Sequence, residues 1–321
     1  MVEYILMEII FLLLTILGLS LFEIITSIDN AIINAEVLSH MSEKARKWFL
    51  LWGFLFAVFV VRGLLPFLIV WIANPGIGPM GVVTAAFSND PSVIEAIEKS
   101  SPILLLGGGV FLLFLFFNWL FLEPKNFGLR GEKFFHAQGA WFFAIVSVLL
   151  TAIVWFALQR DSLLAFAAVV GSTAFFIIHG FRQFAKQQEQ KLLGSGMSEI
   201  SMIAYLEVLD STFSIDGVIG AFAFTFSVPL ILLGNGLGAF VLRKLTVSNI
   251  EIIKIYKYLK KGAMYSILFL GIIMILDGFG FHIPPWVSPV ITFTTVGYFF
   301  YKSRLDLKTI EGALKPTKQN S

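Results

Sequence analysis

The sequence predicts an all-α polytopic membrane protein with about nine transmembrane helices and an inverted-topology repeat relating spans one and two to spans six and seven. Three observations predict it. The 321 residues are 57% hydrophobic and 14% charged, with a mean hydropathy of +0.86, too little polar surface to keep so apolar a chain dispersed in water. The apolar residues gather in runs close to the roughly 20 residues a helix needs to cross a bilayer. The basic residues fall almost entirely in alternate loops between those runs.

The runs lie at 9–38, 48–72, 103–122, 138–158, 162–179, 201–226, 229–248, 263–277 and 284–301. The first begins in MVEYILMEII, which lacks the basic region of a signal peptide and continues without a small-residue cleavage site, so it reads as a retained span. Lys44, Arg46 and Lys47 follow span one; Lys125, Arg130 and Lys133 follow span three; Arg182, Lys186 and Lys191 follow span five. More bases lie between Lys244 and Lys261 and again from Lys302 onward, whereas the alternate loops hold Lys99 and Arg160. By the positive-inside rule the N-terminus is outside and the C-terminal tail cytoplasmic, in a plasma-membrane protein.

Residues 1–122 form a first repeat half, with an external loop at 73–102; 123–200 hold linking spans four and five; 201–301 form the second half; and 302–321 form the tail, disordered after Lys315. The Phe-rich run FLLFLFFNWLF of span three reads as lipid-facing bulk, and Gly107–Gly109 as a place of close helix contact. The stretch 249–261 reads as an amphipathic helix on the inner membrane surface. Cysteine is absent, which excludes disulfides and thiolate metal sites, and the net charge of +2 implies no nucleic-acid partner. No GxxxxGK[ST] phosphate loop is present, and His40, His136, His179 and His282 share no ligand spacing.

The informative stretches are EIITSIDNAIIN, from Glu23 to Asn34, and DSTFSIDGVIGA, from Asp210 to Ala221. Ser-Ile-Asp recurs, with an acidic residue six positions before the Asp of that triplet in each copy. A carboxylate at mid-bilayer costs roughly 2.5–3.5 kcal/mol on insertion scales, so Glu23, Asp29, Asp210 and Asp216 together point to function rather than packing. Spans one and six run in opposite directions, so the copies form an inverted repeat, an arrangement that places ion sites near the midplane on locally broken helices. The breaks are expected at Asn30 and at Gly217 and Gly220. At 100° per residue Glu23, Ser27, Asn30 and Asn34 share one stripe and Glu207, Asp210, Ser214 and Gly217 another; Asp29 and Asp216 join them only if the helices unwind. Arg62 and Arg243, each about fourteen residues into its span, are expected to neutralise and orient the carboxylates or to gate the site.

FEIITSIDNAI and LEVLDSTFSIDGVIGAFAFT resemble the paired signatures of TerC-type integral membrane proteins, within the LysE-like transporter group. Glu23, Asp29 and Asn30 match the first signature; Glu207, Asp210, Phe213 and Asp216 match the second; and Asn235, Leu242 and Arg243 match a downstream element. Gly217 departs from the family's usual Ser, and the 73–102 loop is longer. The resemblance implies divalent-metal efflux, Mn²⁺ first, with a link to tellurite resistance. Carboxylates, Asn amides and backbone carbonyls form a hard oxygen site suited to Mn²⁺, Ca²⁺ or Mg²⁺. The expectation is therefore a secondary transporter rather than an enzyme, with no prosthetic group, with metal ligands Glu23, Asp29, Asn30, Asp210 and Asp216, and with protons as counter-ion. Ser27, Asn34, Arg62, Glu207, Ser214, Asn235 and Arg243 support the site. The alternatives are a Ca²⁺ or other cation exchanger and a non-transporting membrane scaffold; self-association stays open.

Overall fold

The computed structural model describes residues 2–314 apart from 40, 54, 74–75, 77, 88–90, 126–128 and 193–197. Among these it is helical, without strands: α1 Val2–Thr26, α2 Ile28–Ser39, α3 Glu43–Trp48, α4 Arg62–Ala73, α5 Gly78–Phe87, α6 Pro91–Leu122, α7 Arg130–Ala137, α8 Trp141–Leu158, α9 Ser162–Leu192, α10 Glu199–Ala221, α11 Val228–Ile255, α12 Leu259–Gly278 and α13 Val287–Leu314. Two π-helical stretches, Phe49–Gly53 and Phe56–Val61, join α3 to α4. Six segments among the described residues are long and apolar enough to cross a membrane: Ile5–Thr26, Glu43–Ile72, Lys99–Leu122, Trp141–Leu158, Ser162–Phe184 and Leu259–Gly278.

Large apolar side chains face outward on α1 (Ile9, Leu13), α8 (Trp141, Trp155, Phe156) and α9 (Phe166, Ile177), a surface that needs hydrocarbon rather than water around it. The chain is a membrane protein. The centre of the bundle is α6, and here the sequence expectation is corrected. The Phe-rich run is core: Phe111, Leu112, Phe114, Phe116, Trp119 and Phe121 are all buried. Phe175 of α9 meets Phe111 and Phe114 edge to face at 6.0 and 5.7 Å between ring centroids. An all-round apolar helix belongs at the centre of a bundle as readily as at its rim, and composition alone does not distinguish them.

Gly107–Gly109 do let helices approach. A Cβ on Gly107 would lie 3.0 Å from the carbonyl oxygen of Ala167 in α9, and one on Gly109 would lie 2.9 Å from that of Gly271 in α12. The tightest approach is at Gly171, where a Cβ would come within 2.0 Å of the Gly107 carbonyl oxygen. Because the obstacle is backbone, Gly171→Ala must part α6 from α9, and an overpacking cost of about 1–3 kcal/mol or more is expected. A lowered unfolding temperature in detergent, against an unchanged one for Gly180→Ala, whose Cβ meets nothing within 4 Å, checks this.

Three further expectations change. The 73–102 loop is largely helical, comprising α5 and the first turns of α6. The surface helix at 249–261 is divided between the end of α11, which runs to Ile255, and the start of α12 at Leu259. The tail from 302 continues α13 to Leu314; residues from Lys315 lie outside the described ones.

Candidate functional site

Glu23 is fully buried on α1, and glycines on two other helices make room for it. A Cβ on Gly217 of α10 would stand 2.7 Å from Glu23 Oε2, and one on Gly238 of α11 would stand 2.7 Å from Glu23 Cβ. Gly220 likewise seats the Phe22 ring, at 2.4 Å from its Cβ position. The expected helix break at Gly217 and Gly220 is absent, since α10 runs unbroken from Glu199 to Ala221. These glycines permit close packing instead of irregular torsions. In the first motif the interruption falls at Ser27, between α1 and α2, rather than at Asn30. It is slight, because Ser27 N–H still donates to the Glu23 carbonyl at 3.1 Å and Ala31 N–H to that of Ser27 at 2.9 Å.

The backbone departs from α-helix on the neighbouring span, in the two π-helical stretches that lead into Arg62. Such insertions free carbonyls and recur at functional sites. Ala57 O accepts from the backbone N–H of Arg62 and, at 3.4 Å, from its Nη1. Phe49 O accepts from Arg243 Nη2 at 2.6 Å, and the guanidinium lies 4.5 Å from the Phe49 ring centroid. Glu207 is packed against Gly53 so closely that a Cβ there would overlap its carboxylate.

Arg62 is the hub. It donates from Nε and Nη2 to Glu23 Oε1, at 3.0 and 2.7 Å, and from Nη1 to Asp210 Oδ2 at 3.3 Å. Ser27 Oγ donates to Glu23 Oε1 at 2.8 Å, and Asn30 Nδ2 donates to Asp210 Oδ1. Ser214 Oγ donates to the Asp210 carbonyl at 2.6 Å. The predicted stripe of Glu23, Ser27, Asn30 and Asn34 thus faces Asp210, Arg62 and Arg243 across a cavity of about 40 Å³. That exceeds the ~10–15 Å³ one water needs. Glu23 Oε2, Asn30 Oδ1 and Asn34 Oδ1 are buried oxygens with no hydrogen-bond partner.

Asp216 does not join them. Six residues after Asp210 on a continuous helix, it points about 240° round the axis. There it forms a bidentate pair with Arg182 of α9, at 2.7 Å for each bond. Arg182, read from sequence as an inner-loop base, is buried and also donates to the Thr212 carbonyl at 2.9 Å. Its signal in the sequence is that Arg182 is the first charge after the apolar stretch that starts at 162, within a helix long enough to bury it. The two arginines expected to correspond, Arg62 and Arg243, both line the cavity: Arg62 bonds to Glu23 and Asp210, and Arg243 bonds to the Phe49 carbonyl beside Asp210 and Glu207. Asn235 is fully buried, with neither polar atom of its side chain hydrogen-bonded. Asp29 lies on α2, but its side chain is outside the described ones. Among the described residues no group of three or more His, Asp or Glu is placed to hold a metal ion. The cavity holds two carboxylates, two arginines and three amide or hydroxyl side chains.

A family model described as protein of unknown function DUF475 matches residues 28–308. The chain belongs to the DUF475 family. No curated protein and no solved structure matches it. Within this DUF475 protein the matched stretch begins at Ile28, so Arg62, Arg182, Asp210 and Asp216 lie inside it and Glu23 lies just before it.

Proposed function

We propose that this protein is a secondary transporter that exports a divalent cation, Mn²⁺ before Ca²⁺ or Mg²⁺, in exchange for protons. The observation that carries the reading is the set of three unpartnered oxygens, Glu23 Oε2, Asn30 Oδ1 and Asn34 Oδ1, on one wall of a buried cavity opposite Asp210. Buried acceptors left without a donor cost free energy, and a hard cation satisfies oxygens of this kind. Arg62 then acts as a tethered cation. When no ion is bound it shares the neutralisation of Glu23 and Asp210 with protons, and both give way as the ion enters, so that the protons leave in exchange. The resemblance to TerC-type proteins points the same way. In this reading α10, α11 and α13, of 23, 28 and 28 residues, add three spans to the six apolar ones. The nine form an inverted repeat in the plasma membrane, N-terminus outside and C-terminus inside.

One observation favours a second reading, a membrane scaffold that does not transport: Arg62 and Arg182 tie together helices through ion pairs with Glu23, Asp210 and Asp216. Proteoliposomes loaded with a fluorescent Mn²⁺ indicator separate the two. Transport predicts Mn²⁺ entry that is accelerated by an outward proton gradient and lost in Asp210→Asn. Absence of flux from well-folded, reconstituted protein leaves the scaffold.

A further inference from the structure

At the other end of α6 from Lys99, a second polar cluster lies outside the site above. Trp119, Glu123, Pro124 and Lys125, at and just after the end of α6, face Lys257, Lys260 and Lys261 at the start of α12 across a cavity of about 130 Å³. Four lysines meet three carboxylates there. Lys261 is buried in an ion pair with Glu132, whose other oxygen accepts from Tyr265 OH at 3.1 Å; Lys257 pairs with Asp306; and Lys260 pairs with Glu123 at 2.6 Å. Lys125 Nζ donates to the Trp119 carbonyl at 2.5 Å and lies 3.8 Å from the centroid of its ring. Among the described residues the lysines here outnumber the carboxylates paired with them by one, and Lys125, half-buried, is held by a carbonyl and a ring face beside Glu123.

We propose that this cavity binds the phosphate of an anionic phospholipid headgroup. Its position selects a phosphate that belongs to a lipid. The apolar segments Lys99–Leu122 and Leu259–Gly278 end or begin here, so the lysines stand at the level where headgroups lie. Basic pockets between helices at that depth suit phosphodiesters. Beside them α7 turns Glu132 inward and exposes Phe134 and Phe135, the disposition of a short helix resting in the interface with room for acyl chains against its rings. Burial, aided by Lys260 and Lys261 and opposed by Glu123 and Glu132, pushes the Lys125 ammonium down to about 8. A bound phosphate favours its charged form, so lipid affinity falls as pH rises through about 8 rather than through the ordinary lysine range.

Native mass spectrometry of the detergent-solubilised protein, titrated with phosphatidylglycerol or phosphatidylcholine, tests this. Phosphatidylglycerol is expected to bind and phosphatidylcholine not. Affinity should fall about fivefold for each lysine lost in Lys125→Gln and Lys260→Gln, and about thirtyfold for both. Lys125→Arg should bind as wild type does, and Glu123→Gln, which removes a competing carboxylate, should bind more tightly. Equal binding of the two lipids, or unchanged affinity in a folded double variant, overturns the site. If inorganic phosphate at millimolar concentration displaces phosphatidylglycerol as effectively as added phosphatidylglycerol does, the cavity takes free phosphate and the lipid assignment falls.

Discussion

Arg62→Ala is expected to destabilise the protein by about 3–5 kcal/mol, the usual consequence of removing one partner from a buried ion pair. Glu23 and Asp210 would lose the guanidinium that bonds to both, with Ser27 and Asn30 still donating to them and Arg243 lining the same cavity. The size of the effect comes from those stranded carboxylates, not from the pair's own strength, which double replacement reveals. Arg62→Ala combined with Glu23→Gln should recover most of the loss, because one uncompensated charge disappears with its partner. Arg62→Lys should fall between: one ammonium cannot reproduce three hydrogen bonds from a planar fork to two carboxylates. Arg182→Ala should be rescued by Asp216→Asn in the same way but not by Glu23→Gln, since the carboxylate stranded by losing Arg182 is Asp216, which points to a different side of α10 from Asp210. Thermal unfolding in detergent, followed by intrinsic tryptophan fluorescence, reports all of these. An Arg62→Ala protein that melts like the wild type would mean that Arg62 does not neutralise the site.

The helical, membrane-embedded character was legible in composition and apolar run lengths, and so was the stripe of Glu23, Ser27, Asn30 and Asn34, because a regular helix carries its periodicity in the sequence. What was not legible depends on which helices become neighbours. Whether Phe111 to Phe121 face lipid or protein is decided by the glycines of α6, α9 and α12 that draw those helices together, a property of three segments far apart in the chain. Gly217 is the clearest case. In a one-dimensional reading it loosens a helix; in the structure it is the floor under the Glu23 carboxylate. Likewise the irregular backbone lies one span away from where the motif suggested, at Phe49–Gly53 and Phe56–Val61, where β-branched and aromatic residues give no sign of a π-helical insertion.

The widest separation between variants is expected in metal affinity. Glu23→Gln and Asp210→Asn each remove a negative charge from the cavity wall while keeping shape, and ligand charge sets affinity for hard cations over decades, so Mn²⁺ binding should weaken by roughly a hundredfold in either. Asn34→Ala, which removes one neutral oxygen, should cost roughly tenfold, about 1.4 kcal/mol. Asp216→Asn should leave affinity nearly unchanged, because Asp216 lines no part of the cavity and is held by Arg182. Its cost should appear in stability, through an arginine deprived of its carboxylate. The inverted repeat read from the sequence would instead make Asp216 the equal of Asp29, with Asp29→Asn and Asp216→Asn weakening binding by similar amounts. Isothermal titration of purified protein with Mn²⁺ decides between the two arrangements. Affinity lost in Asp216→Asn and kept in Glu23→Gln would move the ion to the Arg182 side of α10 and remove the cavity beside Arg62 from the transport path.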